Sequence, residues 1–355
     1  MQVSTALSTL DATCESLQLD DRTKFCMRGQ LRAYAEHWDG FNHFGRYKLA
    51  SINGVTEGIE VELRCNLSDS WRTISYLDKL LVDDFGNLCI MDHKMLSKWD
   101  FFPMSTDMRV LHMDPQIRMY QMVCHLNDLP VTHHVHDIAV NLKPSPKVVG
   151  PTFLKEIGEH CTYRGHKISE ESHDHVMGTE GAKETDEMLE HTVYAALMSK
   201  PAKYFGHPRV NMSNDRVCEA AQRLVQITEE IDNRVEEDTH WKNPKHCKAF
   251  GKECEYLALC EHSDDPSSAN WKPRGESRED SGSHSNRLSH SRVECYLGCP
   301  KKHYWRYIYN STGIVPVAPG DSYYTDRGTA WHAAMDTLYR DNCDSVVVTA
   351  NELLV

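Results

Sequence analysis

What this sequence lacks narrows it first. No run of eighteen apolar residues occurs among its 355 residues, although 40% are hydrophobic, so no segment reads as a membrane span. The opening stretch, MQVSTALSTLDATCESLQLDD, has no charged start followed by an apolar core, and no signal peptide is expected. A surplus of positive charge is missing too: the formal net charge is -13. Proteins that coat nucleic acid are normally basic, so any such contact must come from local patches. The run Lys301-Lys302-His303-Tyr304-Trp305-Arg306 and the segment Lys143 to Lys147 are the candidates. An even disulfide framework is also absent. Thirteen cysteines in so long a chain point to a reducing, cytoplasmic setting in which some thiols hold a metal.

The pattern along the chain predicts alternating helices and strands. Residues 20–50 read as helical, with Leu31, Tyr34 and Trp38 at helix spacing. Ile59, Val61 and Leu63 alternate with Glu60, Glu62 and Arg64, as in a strand with one buried face. Two strand-like runs follow, Tyr76–Val82 and Leu88–Lys94, joined by the turn-forming Asp83-Asp84-Phe85-Gly86-Asn87. Asp114 suits a helix N-cap and Pro115 the first helical position. Residues 133–142 read as another strand, and 214–236 as a helix with Val217, Ala221, Leu224, Ile231 and Val235 on one face. Residues 263–287 are rich in Ser, Gly, Pro and charge, the composition of a flexible linker. The expected fold class is α/β: a mixed sheet of four or five strands with helices on both sides.

Asp92 and Lys94 lie two apart on a strand and therefore share a face. A hairpin can bring Asp78 beside Asp92. Carboxylate oxygens suit Mg²⁺ or Mn²⁺, such a cation acidifies a bound water, and an ammonium stabilises the charge that develops on a phosphate. Alone, Asp-x-Lys is ordinarily an exposed ion pair. Gln116 and Tyr120 stand i, i+4 on the next helix and could reach a phosphate or the lysine. Glu57 and Glu60 precede Asp78 and could approach the same site. His134 and His136 share a strand face, for which a solvated edge is the ordinary reading.

Taken in order, Leu77-Asp78, Asp92-His93-Lys94 and Gln116-Ile117-Arg118-Met119-Tyr120 resemble the RecB-like branch of the PD-(D/E)XK nucleases. The resemblance covers roughly residues 25–262. It implies a restriction-endonuclease-like mixed sheet and a metal-dependent DNA nuclease. In that scheme Asp78, Asp92 and the His93 backbone carbonyl hold Mg²⁺ or Mn²⁺, Lys94 assists the attacking water, and Gln116 and Tyr120 position the phosphate or the lysine. Met95 stands where many relatives have threonine.

Cys247, Cys254 and Cys260 are spaced closely enough to hold zinc or an iron–sulfur cluster. The triplet resembles that of iron–sulfur exonucleases of the same superfamily, CRISPR-associated and phage enzymes among them. There a fourth cysteine comes from a Cys-Pro segment near the domain start. Here Cys-Pro occurs after the linker, as Cys299-Pro300 within Leu288-Ser289-His290-Ser291-Arg292 … Cys295-Tyr296-Leu297-Gly298-Cys299-Pro300. Arg327-Gly328-Thr329-Ala330-Trp331-His332 follows, similar to the family segment whose histidine completes the metal site. The expected organisation is a nuclease domain over 20–262, a linker over 263–287, and a segment over 288–355 that resembles the family's beginning. Three arrangements fit: a circular permutation closing on itself, the start of a tandem copy, or a piece of a longer reading frame. The abrupt VVVTANELLV favours the last two. A flexible linker of this length spans roughly 25–30 Å, which permits closure with Cys299 and His332 as ligands.

The resemblance implies an exonuclease acting on single-stranded DNA ends in phage-type recombination or repair. It would work in the cytoplasm, that of the host if phage-encoded, with no membrane partner. The rivals are a DNA-binding or scaffold module without activity, or a zinc-bound structural protein in which Asp92-x-Lys94 is a surface pair.

Overall fold

The computed structural model describes residues 3–101, 105–111, 113–249, 252–274, 286–317 and 323–348. The elements that frame the fold are helices α1 (Ser4–Ser16) and α2 (Asp21–Asp39), strands β1 (Lys48–Ile52), β2 (Ile59–Asn66), β3 (Arg72–Val82) and β4 (Leu88–Leu96), helix α3 (Pro115–Leu126), strand β5 (His133–Val140), helix α4 (Asp186–Ser199), strand β6 (Arg209–Asn211), helix α5 (Asn214–Glu236), strand β7 (Arg287–Leu288), and helices α6 (His290–Gly298) and α7 (Tyr323–Asn342), followed by strand β8 (Ser345–Val348). They build a mixed sheet of ten strands in the order β6-β5-β4-β3-β1-β8. The strands β2 and β7 also pair with β3, and the two-residue strands Thr56–Glu57 and Phe205–Gly206 complete the set. The sheet is wider than the four or five strands expected. It has helices on both sides and a restriction-endonuclease-like α/β character.

The period-two alternation of the strands explains the two cores. Leu80, Leu88 and Ile90 point to one side, where they pack with Met119 and Val123 of α3, Leu224 and Ile227 of α5 and Val293 of α6. Leu81, Cys89 and Met91 point to the other, against Leu10 of α1, Leu31 and Tyr34 of α2, Leu189 of α4 and Trp331 and Met335 of α7. Each buried leucine side chain contributes on the order of 1.5–3 kcal/mol through lost contact with water.

The hairpin forms as its pattern predicts. The register runs Lys79↔Met91 to Val82↔Leu88. Asp83 closes the turn by accepting hydrogen bonds from the Phe85 and Asn87 N–H groups at 3.0 and 2.9 Å. The Asp114 carboxylate caps α3 by accepting from the Gln116 N–H at 2.8 Å. Helix α5 spans the residues expected, with Ile227 buried and Val235 exposed.

Several expectations are corrected. The helix expected over 20–50 ends at Asp39, and Lys48–Ile52 is a strand. β5 is buried along its whole length between β4 and β6, so His133, His134 and His136 are not on a solvated edge. The early part of the expected linker is ordered: Trp271–Pro273 pairs with Ile314–Pro316, and Trp271 stacks on Tyr256 with ring centroids 5.5 Å apart. Residues 275–285 and the terminal 349–355 lie outside the described residues.

The segment after the linker is built into the same sheet. β8 runs parallel to β1, with Leu49↔Ser345 through Ile52↔Val348, and β7 pairs in parallel with the start of β3. Helix α7 packs on the face formed by α1 and α2.

Candidate active site and cysteine centre

Asp78 lies midway along β3, Asp92 midway along β4 and Lys94 two residues further on. All three have the same strand parity as Leu80 and Ile90. Asp92 is 2% exposed and Asp78 9%, which is unusual for carboxylates and calls for partners. Asp78 Oδ2 accepts from the His93 backbone N–H at 2.8 Å. Lys94 Nζ sits 2.8 Å from Asp92 Oδ2 and donates to Gln116 Oε1 at 2.8 Å. The Gln116 amide in turn donates to the Tyr120 hydroxyl at 2.8 Å. Asp92, Lys94, Gln116 and Tyr120 thus form one polar chain running from the sheet to α3.

Helix α7 supplies the next member. His332 Nδ1 lies 3.4 Å from Asp78 Oδ2. One turn further on, Asp336 pairs with Lys79, whose side chain is fully buried. Successive turns of α7 therefore grip neighbouring residues of β3. Glu60 completes a compact group with Asp78 and His332, their ligand atoms within 4.8 Å of one another. Glu60 also carries a left-handed φ of 52°, a strained backbone state that costs about 1–3 kcal/mol and recurs at functional sites. Two residues before it, a Cβ on Gly58 would come within 2.4 Å of the Leu80 carbonyl oxygen, so only glycine fits that approach. Glu57, by contrast, pairs with Arg340 at 3.1 Å away from the carboxylates.

The two carboxylates differ in ionisation. Burial, and then the nearby charge of Asp92, hold Asp78 well above the usual carboxylate range. Asp92 is driven the other way: burial opposes its charge, but Lys94 and His136 outweigh burial and keep it ionised. Without a cation, this pair tends to retain a proton on Asp78, and a bound dication would remove the reason for it.

Behind the site lies a buried network absent from the sequence reading. His93 Nδ1 is 2.6 Å from Asp137 Oδ2, His207 Nε2 is 2.8 Å from Asp137 Oδ1, and the Tyr34 hydroxyl donates to Asp137 at 2.7 Å. His207 stacks on Trp38 at 3.7 Å. The network fixes the His93 ring from α2, β5 and the stretch before β6. Only the high count of histidines, 21, hinted at it.

Cys247 and Cys299, from segments far apart in sequence, are linked through Asn243. The Cys254 N–H donates to the Cys247 carbonyl at 2.8 Å. Asn243 touches two thiols: its N–H donates to Cys299 Sγ at 3.4 Å, and the Cys247 thiol points at its carbonyl at 3.8 Å. Burial, with a smaller contribution from the charge of Cys299, pushes the Cys254 and Cys260 thiols up, so the three lie close enough to affect one another. None of the thirteen cysteines is in a disulfide. Cys247, Cys254, Cys260 and Cys299 are all free thiols, the soft donor type that zinc and iron–sulfur clusters take. The basic run beside them is committed locally rather than open to nucleic acid. Lys302 and Arg306 pair with Glu255 at 3.3 and 3.0 Å, Lys301 lies over Tyr304 at 4.3 Å, and His303 is buried.

Residues 287–354 match the model of the PD-(D/E)XK nuclease superfamily. That segment is similar to the superfamily, and it is the part of the chain that the match covers. The matched part contains β7, α6, α7 and β8, hence Cys299 and His332, while Asp78, Asp92 and Lys94 lie outside it and reach it through the sheet. No curated protein and no solved structure matches the chain. PD-(D/E)XK nucleases hydrolyse phosphodiester bonds with divalent metals. The acidic groups of this chain, with His332 beside them, fit that requirement. No helix among the described residues is long and apolar enough to cross a membrane.

Proposed function

We propose that this PD-(D/E)XK protein is a Mg²⁺- or Mn²⁺-dependent deoxyribonuclease that acts on single-stranded DNA ends, in recombination or repair of the phage type. The observation that carries the reading is the convergence of Asp78, Asp92 and Lys94 with His332 brought from the far end of the chain. Asp78, Asp92, the His93 carbonyl and His332 are the residues to hold the cation, and Glu60 stands ready beside them. A dication at this position polarises the scissile phosphate and acidifies a water. Lys94, held by Asp92 and Gln116, places a positive charge where the phosphate gains negative charge. Tyr120 fixes Gln116, and through it the lysine. Cys247, Cys254, Cys260 and Cys299 bind an iron–sulfur cluster, with zinc the lesser option. The cluster fastens the segment after the linker to the rest and takes no part in hydrolysis. In this reading the family's segments occur in permuted order and close in cis.

The test compares wild type with Asp92→Ala and Lys94→Ala on end-labelled linear and on circular single-stranded DNA with Mn²⁺. Loss of one electrostatic contributor should slow cleavage by about 10²–10³-fold, and circular DNA should survive. If both variants degrade DNA as fast as wild type, the site assignment fails. If wild type is inert but binds DNA, the protein is a binding module.

A further inference from the structure

The cation reading above leaves two buried imidazoles unexplained. His134 and His136 are 0% and 2% exposed, on the sheet face that carries Asp92. Both ring nitrogens of His134 and the Nε2 of His136 have no hydrogen-bond partner, although each is shut off from water. Buried polar atoms are nearly always satisfied, so unsatisfied ones aimed at a shared point indicate a missing ligand. The parallel register places His136 opposite Asp92, and His136 Nδ1 is 3.4 Å from Asp92 Oδ2. The two rings lie 4.6 Å apart, and ligand atoms of Asp92, His134 and His136 fall within 4.8 Å of one another. Small side-chain shifts would bring all three onto one ion.

We propose that Asp92, His134 and His136 form a second cation site, one that takes a nitrogen-preferring transition metal such as Zn²⁺ rather than Mg²⁺. Two imidazoles and one carboxylate are a common zinc set, whereas Mg²⁺ favours a mostly oxygen shell in octahedral array, as the carboxylate-rich first site offers. The site competes with Lys94. The oxygen facing His136 is the same Oδ2 that the Lys94 ammonium approaches, and that oxygen has no well-aligned hydrogen bond. A metal seated there displaces the lysine from Asp92. Occupancy therefore inhibits rather than supports hydrolysis. This last consequence rests on the nuclease reading; the site itself does not.

The experiment uses anaerobically purified full-length protein with its cysteine centre loaded. Zn²⁺ is added after removal of loosely bound metal, and zinc-edge X-ray absorption reads its ligands. The expected result is a first shell of nitrogen and oxygen at about 2.0–2.1 Å, without sulfur at about 2.3 Å. The His136→Gln and His134→Gln/His136→Gln variants should each bind one equivalent less zinc than wild type. With Mg²⁺ present, zinc should slow wild-type cleavage at least tenfold, and each variant much less relative to its own zinc-free rate. A sulfur shell, or undiminished stoichiometry in the folded variants, overturns the site. Nitrogen–oxygen binding in a chain with no Mg²⁺-supported cleavage to inhibit overturns the nuclease reading and leaves the site standing.

Discussion

Replacing Asp336 by asparagine tests whether the segment after the linker completes this fold. In the folded chain Lys79 is fully buried and Asp336, 19% exposed at its side chain, is its counter-ion. Among the described residues the ammonium also meets the Asp78 carbonyl oxygen at 3.3 Å and the Tyr339 ring at 5.7 Å, and its charge acts on the Asp78 carboxyl. Removing one partner of a buried pair costs about 3–5 kcal/mol, because the other charge stays desolvated. The partial exposure of Asp336 and the surviving carbonyl contact set the expectation at the lower end, about 3 kcal/mol. For a chain of this size that corresponds to a fall in Tm of roughly 4 °C. Urea unfolding followed by tryptophan fluorescence gives the free energy, and calorimetry gives the Tm. The double change Lys79→Met/Asp336→Leu removes both charges and should return stability to within about 1 kcal/mol of wild type. If Asp336→Asn unfolds within about 0.5 kcal/mol of wild type, Lys79 has another partner, and α7 does not dock on β3 as described.

Other expectations follow from the same geometry. Asp137→Asn removes the carboxylate shared by His93, His207 and Tyr34, and should weaken Mn²⁺ binding by about 10–100-fold in a calorimetric titration. Because Asp78 is raised in the cation-free fold, its contribution to stability is full below about pH 4 and is lost as the pH rises through the elevated folded value. Mg²⁺ binding should accordingly tighten with pH over that window and release a proton, which titration in buffers of different ionisation enthalpy detects; no proton release would contradict the assignment. Cys299→Ser should abolish the visible absorption of an iron–sulfur centre as fully as Cys254→Ser does. Retained absorption would place the fourth ligand elsewhere.

The hairpin that carries Asp78 and Asp92 is legible in the sequence because its signals are local. Alternating apolar residues define β3 and β4, the Asp-Asp-Phe-Gly-Asn turn fixes their register, and register alone sets Asp78 beside Asp92. Helix α3 was equally legible from its Asp-Pro start. What stayed hidden depends on partners remote in sequence. Lys79 looks like any strand lysine until Asp336 arrives from α7. Asp137 looks like the polar member of an alternating strand, yet three elements surround it. By sequence the histidines of β5 resemble an edge, because polar residues in strands usually face water, and only the sheet order, with β6 outside them, places them in the interior. Cys299 and His332 were recognisable by motif, but no local pattern could say that they fold back onto residues 243–260 and β3.

The late position of α7 has a bearing on biosynthesis. Ribosomes add roughly 5–20 residues per second, so His332 emerges on the order of 10–50 s after Lys94. During that interval the nascent chain carries the acidic pair without its histidine, and Lys79 without its counter-charge. Strand β1 likewise lacks its outer neighbour β8 until residues 345–348 have been made. Such distant pairings fold slowly. A chain interrupted before α7 would lack both the Asp336 counter-ion and the β8 pairing, and would be less stable for it.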